Sequence, residues 1–233
     1  IEIADDFAAA AHRAHQAGFD GVQLHGAHGY LIHQFILPAV NKRNDQFGID
    51  PELNIGTKFL ELVIERVRAK CGPTFPLLIK VSSGDDYWNS FSEEQFINLI
   101  SYLDQQELTG IEISYGTMDY ALNIFRGAIP VEAILDVNPI YQVKNKWLRK
   151  LWKLFVRPLL SFKLKEFIPR YNLSAAKLAA EYTTTPIISV GGFRTGRGIN
   201  QALTEIDAVS LCRPFICEPD FVLKIKEDLD YES

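Results

Sequence analysis

Five short apolar runs alternate with helical patterns along this chain, and every run stops at a polar residue or a glycine. The runs are Gly21 to His25, Phe75 to Ser82, Gly110 to Ser114, Ile187 to Val190 and Ala208 to Leu211, and they lead to His25, Ser82, Gly116, Gly192 and Arg213. Stretches as continuously apolar as Leu77-Leu78-Ile79 belong to parallel strands covered on both faces. Strand-helix alternation builds right-handed βαβ units, which leaves a doubly wound sheet or a barrel. No G-x-G-x-x-G follows any of the runs, which argues against a dinucleotide-type doubly wound sheet. A barrel keeps its chemistry at the carboxyl ends of its strands and often binds phosphate after the last two. The expected fold is therefore α/β, the last five βα units of a (β/α)8 TIM barrel. Residues 1–233 read as one C-terminal portion, with the N-terminal strands missing and open sheet edges left behind.

The helical patterns fill the gaps. Asp5 or Asp6 is expected to cap a helix carrying Phe7, Ala10, Ala11 and Ala14, closed by Gly18. A short helix is expected over Leu31 to Phe35, and a longer one from Gly56 to Lys70 with Phe59, Leu60, Val63, Ile64 and Val67 on one face. Ser92-Glu93-Glu94-Gln95 has the spacing of a capping box. Further helices are expected from Asn172, over Gly198 to Leu203, and over Pro219 to Lys226.

Charge and cysteine content narrow the function classes. A net charge of −5 gives no overall attraction to nucleic acid or to an anionic surface. Cys71, Cys212 and Cys217 form no C-x-x-C pair and fit free thiols in a reducing, cytoplasmic setting. No run of 18 apolar residues is present.

Three sets of residues carry candidate chemistry. His25, His28 and Tyr30 follow the first run, separated by small residues. Two neutral imidazoles can donate hydrogen bonds to one oxygen that gains negative charge, and a tyrosine hydroxyl can transfer a proton. The alternative is that His28 and Tyr30 cap a helix or fill a turn; no nearby carboxylate or thiol completes a metal set. Gly191-Gly192 and Cys212-Arg213 end the last two runs, where bare N–H groups and an arginine suit a phosphate, although Gly-Gly also marks tight turns. Lys80 interrupts an apolar strand and needs a partner, either a structural carboxylate or an anionic ligand.

Taken together, these segments resemble the old yellow enzyme family of FMN-dependent NAD(P)H oxidoreductases. Ala17 to Leu31 is similar to the family signature almost residue for residue, and Gln34-Phe35, Pro38 and Asn41 to Gly48 continue it. Ile187 to Gly192 and Ser210 to Asp220 are similar to the family's phosphate-binding strand ends. The resemblance implies FMN as cofactor, NADH or NADPH as donor and a small-molecule substrate with an activated C=C bond. It implies that His25 and His28 hold the substrate oxygen above the flavin and that Tyr30 protonates the α-carbon. It places Lys80 where the family has an arginine beside flavin N1/O2. Gly191, Gly192, Cys212 and Arg213 are implied as the phosphate site. The family's arginine-bearing run after the first block is replaced by Gly48 to Ile55.

One segment stands outside the resemblance. Between Thr117 and Pro169 the connection is longer than most, so structure or a role of its own is expected. Val137 to Lys165 holds eight of the 24 basic residues and no acidic one, leaving 16 basic against 29 acidic elsewhere. Tryptophans and leucines interleave with the bases from Trp147 to Phe155, as in a basic amphipathic helix. Three readings fit: a cover for the barrel mouth, a surface for a protein partner or homo-oligomer through 140–165, and, least favoured, membrane contact. The acidic remainder argues against nucleic acid. Two functional alternatives stand beside the flavoenzyme: a barrel remnant acting as a binding or subunit protein, and an isomerase or aldolase that uses Lys80.

Overall fold

The computed structural model describes residues 1–127, 131–137, 142–156 and 164–233. Arg157, Pro158 and Lys163 of the basic segment lie outside the described residues. Five parallel strands form one sheet: β1 (Val22–Gly26), β2 (Leu77–Ser82), β3 (Gly110–Ser114), β4 (Ile187–Val190) and β5 (Ala208–Ser210). Their order in space is their order in sequence, β1-β2-β3-β4-β5. A doubly wound sheet reverses direction at a switch point. This sheet never reverses, so its right-handed crossovers all lie on one face, as in a barrel.

The covered face follows from the residues that point to it. Leu77, Ile79, Val81, Ile111 and Ile113 are fully buried, and Leu24 and Ile187 nearly so. Three helices supply much of the apolar layer above them. Helix α1 (Glu2–Gln16) buries Ala4, Ala8 and Ala11. Helix α3 (Lys58–Cys71) buries Phe59, Leu60, Val63, Ile64 and Val67, and α4 (Glu93–Asp104) buries Phe96, Leu99, Ile100 and Leu103. Phe7 of α1 meets Phe59 of α3 edge-on, ring centroids 6.5 Å apart. The Ser92–Gln95 capping box is formed, Gln95 N donating to Ser92 Oγ at 3.1 Å and Ser92 N to Gln95 Oε1 at 2.9 Å.

Some boundaries differ from those expected. Helix α1 begins at Glu2, so Asp5 lies within its first turn rather than capping it, where its charge still complements the helix dipole. Between β1 and α3, helix α2 (Leu31–Ile36) leads into the Asn41 to Gly48 loop. Buried Asn41 pins that loop, its Nδ2 donating to the carbonyls of Phe35 and Phe47, each at 2.8 Å. The Gly48 to Ile55 segment is tied to α4 through Asn98 Nδ2, which donates to the Leu53 carbonyl at 2.9 Å.

After β3 come a 3₁₀ turn (Met118–Tyr120) and helices α5 (Ala121–Phe125), α6 (Val131–Val137) and α7 (Lys146–Leu151), the last continued by a π-helical turn over Trp152–Val156. Helices α8 (Leu173–Ala180) and α9 (Gly196–Ala202) flank β4. Two helices follow β5: α10 (Arg213–Cys217), which sequence periodicity did not reveal, and α11 (Phe221–Glu227).

Ile79→Ala should destabilise the fold by about 2–5 kcal/mol, because a fully buried strand residue leaves a cavity. Ser92→Ala, which opens the capping box, should cost only about 1 kcal/mol. Urea unfolding followed by circular dichroism measures both, and near-equal losses would contradict the core placement of β2.

Candidate active site

The sheet's second face carries the candidate groups. Residues opposite one another in parallel strands point to the same side, and the pairing His25↔Lys80↔Glu112 sets three polar side chains in one row across β1, β2 and β3. Glu112 is buried, with Gln23 Nε2 donating to its Oε2 at 2.8 Å. Lys80 Nζ lies 3.1 Å from Glu112 Oε1, an ion pair off the hydrogen-bonding line. The partner that Lys80 needed is therefore a carboxylate of the same face. Neither Glu112 nor Gln23 was singled out in the sequence, although an acid inside Gly110-Ile111-Glu112-Ile113-Ser114 is the same signal that marked Lys80.

One layer nearer the carboxyl ends, Ser82 and Ser114 are in register and hold His28. The His28 backbone N–H donates to Ser82 Oγ at 3.1 Å, and Ser82 Oγ donates to the Gly116 carbonyl at 3.0 Å. His28 Nε2 is 2.8 Å from Ser114 Oγ. The backbone turns sharply here, with φ of 61° at His28 and 76° at Gly29. Buried His33 stabilises that left-handed pair, its Nδ1 accepting from Gly29 N at 2.9 Å. His33 therefore carries its proton on Nε2, which has no partner among the described residues.

The turn brings the three signature side chains together. The His25 ring lies 5.0 Å from that of His28 and 5.1 Å from that of Tyr30, centroid to centroid. Burial, reinforced by the charges of His25 and Lys80, pushes His28 down to about 4. Burial is also the main cause that lowers His25, with Lys80 adding to it and Glu112 opposing it. His33 is driven to about 3, again chiefly by burial. At neutral pH all three imidazoles are uncharged, the state in which a ring N–H can donate to an oxygen without a competing cation. Among the described residues no group of three His, Cys, Asp or Glu side chains is gathered for a metal ion.

The second cluster lies at β4 and β5. Gly191 and Gly192 adopt φ of 113° and 75°. A Cβ at Gly191 would sit 2.5 Å from Cζ of Tyr171, so the ring rests directly on the glycine backbone. Tyr171 Oη donates to the Ile124 carbonyl at 2.9 Å. Arg126 stacks on the rings of Tyr171 and Tyr115, at 4.4 and 5.1 Å, and its carbonyl accepts from Arg213 Nη1 at 3.1 Å. Cys212 and Arg213 are exposed, Arg213 opening α10. Arg126 belongs to the connection and Tyr171 directly follows it; neither carried a sequence signal.

One cavity of about 440 Å³ joins the clusters. His28, Lys80 and Ser114 line it on one side, and Gly191, Gly192, Cys212 and Arg213 on the other. Ile124, Phe125, Phe167 and Tyr171 bring both ends of the long connection into its wall. His25 and Tyr30 are not part of the lining but touch it through the His25–His28 contact. A second, more open hollow of about 420 Å³ lies at the amino end of β2, lined by residues such as His15, Phe19, Cys71 and Pro76. It contains none of the candidate groups and sits at the wrong end of the strands for barrel chemistry.

Residues 1–157 match the model of the NADH:flavin oxidoreductase / NADH oxidase family. The chain belongs to this family, the old yellow enzymes. FMN is the cofactor of old yellow enzymes, and NADH or NADPH their electron donor. An NADH:flavin oxidoreductase of Gibberella zeae is 33% identical over 243 residues, covering 99% of this chain and 49% of the relative. An NADPH dehydrogenase of Clostridium acetobutylicum is 37% identical over 144 residues, 61% of this chain and 38% of that protein. The chain thus spans half or less of the length of these curated relatives. Among solved structures, 2-naphthoyl-CoA reductase in complex with 2-naphthoyl-CoA aligns over 97% of this chain and 29% of its own, with a TM-score of 0.72 and 21% identity. Morphinone reductase aligns over all of this chain and 50% of its own, with a TM-score of 0.64 and 19% identity. At these identities the structural likeness establishes the fold, in which the five βα units form part of the old yellow enzyme barrel.

The histidine shifts predict a pH dependence. Between about pH 6.5 and 4 the unfolded chain binds a proton that folded His28 refuses, so acidification through that window removes stability. Below the folded value this group causes no further loss. An NMR titration of the imidazoles should find His28 neutral at pH 6, with a midpoint near 4. A midpoint at the ordinary histidine value would contradict the buried placement.

Proposed function

We propose that the protein is an FMN-dependent NAD(P)H oxidoreductase that reduces the activated C=C bond of α,β-unsaturated carbonyl-type substrates. The observation that carries this reading is the cavity joining Lys80 and His28 to Gly191, Gly192 and Arg213. Its volume is in the range of small-molecule and cofactor sites. Its lining fits an elongated ligand with an anionic end: Arg213 and the left-handed glycine backbone at the β4–β5 end, and a lysine on the polar row at the other. Those residues fit FMN, with Gly191, Gly192, Cys212 and Arg213 toward the phosphate and Lys80 toward the flavin ring. Bound FMN supplies hydride transfer from NAD(P)H to the substrate's β-carbon.

The remaining steps belong to side chains of this chain. Neutral His25 and His28 donate hydrogen bonds to the substrate's carbonyl or nitro oxygen, and these strengthen as negative charge builds there. Ser82 and Ser114 hold His28 so that this geometry exists before the substrate arrives. Tyr30, half exposed beside His25, gives its hydroxyl proton to the α-carbon. Lys80 is a cation beside the cavity, and its charge favours electron-rich states of a ligand there, with Glu112 moderating it. The aldolase alternative needs a nucleophilic lysine activated by an apolar pocket or a cationic neighbour, and Lys80 has a carboxylate neighbour instead. Residues 1–233 act here as a single portion of the barrel, with both ends of the 117–170 connection helping to wall the site.

The full-length protein is expected to be yellow, and one that takes up no FMN would overturn the proposal. His25→Ala should weaken phenol binding by about tenfold to a hundredfold, the worth of a strong hydrogen bond, with FMN retention nearly unchanged. Equal loss of both would make the histidine structural. Tyr30→Phe should slow enone reduction by about 10²–10⁴ while leaving flavin reduction by NAD(P)H intact. Stopped-flow measurement of the two half-reactions separates these outcomes.

A further inference from the structure

Helix α7 and the π-helical turn that follows it face the wrong way for a surface helix. A surface helix normally buries its apolar stripe and exposes its charges. Here Trp147, Leu148, Leu154 and Phe155 fall on one arc at helical spacing, yet they are 67, 50, 65 and 62% exposed. The charges turned inward are Arg149 and Lys153. Arg149 Nη2 lies 2.6 Å from Asp136 Oδ1, and Lys153 pairs with Glu132, so both are anchored on α6. Arg149 Nε and Nη2 also donate to the Val143 carbonyl at 3.1 and 2.9 Å. Lys144, Lys146 and Lys150 remain exposed, without a carboxylate partner among the described residues.

An outward apolar arc flanked by unpaired cations calls for an apolar, anionic surface. We propose that Lys144 to Phe155 is an in-plane anchor for an anionic lipid bilayer. The residue types favour lipid over protein. Protein interfaces are depleted in lysine and enriched in arginine. In this segment the free cations are all lysines and the one described arginine is committed internally. Lysines extend to headgroups while apolar neighbours enter the acyl boundary, and tryptophan favours that depth. No helix among the described residues is long and apolar enough to cross a membrane, so the contact is peripheral. The remainder of the chain, with 16 basic against 29 acidic residues, is net acidic, so an anionic surface repels it overall and favours approach by this segment. This inference makes no use of the flavin reading and can fail without it.

The test is co-sedimentation of the full chain with vesicles of phosphatidylcholine alone or mixed with phosphatidylglycerol. The wild type should partition onto the phosphatidylglycerol vesicles and be partly released by salt. Trp147→Ser with Phe155→Ser should lower partitioning by about tenfold or more, since two large apolar side chains are withdrawn from the interface. Lys146→Glu with Lys150→Glu should remove the preference for anionic vesicles. All four side chains are exposed, and circular dichroism checks that the fold is retained. Absence of wild-type binding to anionic vesicles, or equal binding by the Trp147/Phe155 variant, would overturn the proposal. So would concentration-dependent self-association that this variant abolishes in the absence of vesicle binding; the arc would then be a contact between copies of the chain.

Discussion

A parallel sheet wound in one direction covers only one of its faces. The strand order never reverses, and with crossovers of the usual right hand the helices collect over Leu77, Ile79, Val81, Ile111 and Ile113. The opposite face gathers polar side chains, Gln23, His25, Lys80 and Glu112 in their rows and Ser82, Ser114 and Ser210 nearer the carboxyl ends, beside Leu78, Ile188 and Val190. A buried acid such as Glu112 is tolerable only because Gln23 and Lys80 both engage it. These three residues span three adjacent strands, and the charges of Lys80 and Glu112 set the electrostatics around the histidines. Lys80 lowers both His25 and His28, while Glu112 partly restores His25.

The site depends on this arrangement at a second level. Parallel strands present their carboxyl ends together, so loops distant in sequence converge there. His28 reaches Ser114 across 86 residues, and the Arg213 guanidinium reaches the Arg126 carbonyl across 87. The connection between β3 and α8 has two distinct parts. Its ends wall the cavity through Ile124, Phe125, Phe167 and Tyr171, as a cover would. Its middle, around Trp147 and Phe155, turns away toward solvent.

Much of this was legible in the sequence, because apolar strands, capping boxes and strand-end residues are local signals. Gly110–Ser114 and Ile187–Val190 lie where their apolar runs place them, and the Ser92 box forms as its spacing implies. The His25, His28, Tyr30 cluster was legible through the family resemblance, since spacing alone left a helix cap or a turn equally open. Other parts were hidden for physical reasons. Asp5 and Asp6 lie inside α1 rather than capping it, because Ala4 is buried with Ala8 and Ala11 on one helical face. Glu112 as the partner of Lys80 depends on strand register, which no single strand encodes. Tyr171 on Gly191 and the stacking of Arg126 are contacts of an irregular connection without periodicity to read.

In the proposed function a flavin lies in the cavity with its phosphate at the β4–β5 end. FMN and riboflavin differ only in that phosphate, so a fluorescence-quenching titration of both against the full-length protein tests it directly. FMN should bind more tightly by about tenfold or more, as a charge-assisted phosphate contact requires, and Arg213→Gln should narrow the gap. Equal affinity for the two flavins, or a gap unchanged by Arg213→Gln, would contradict it.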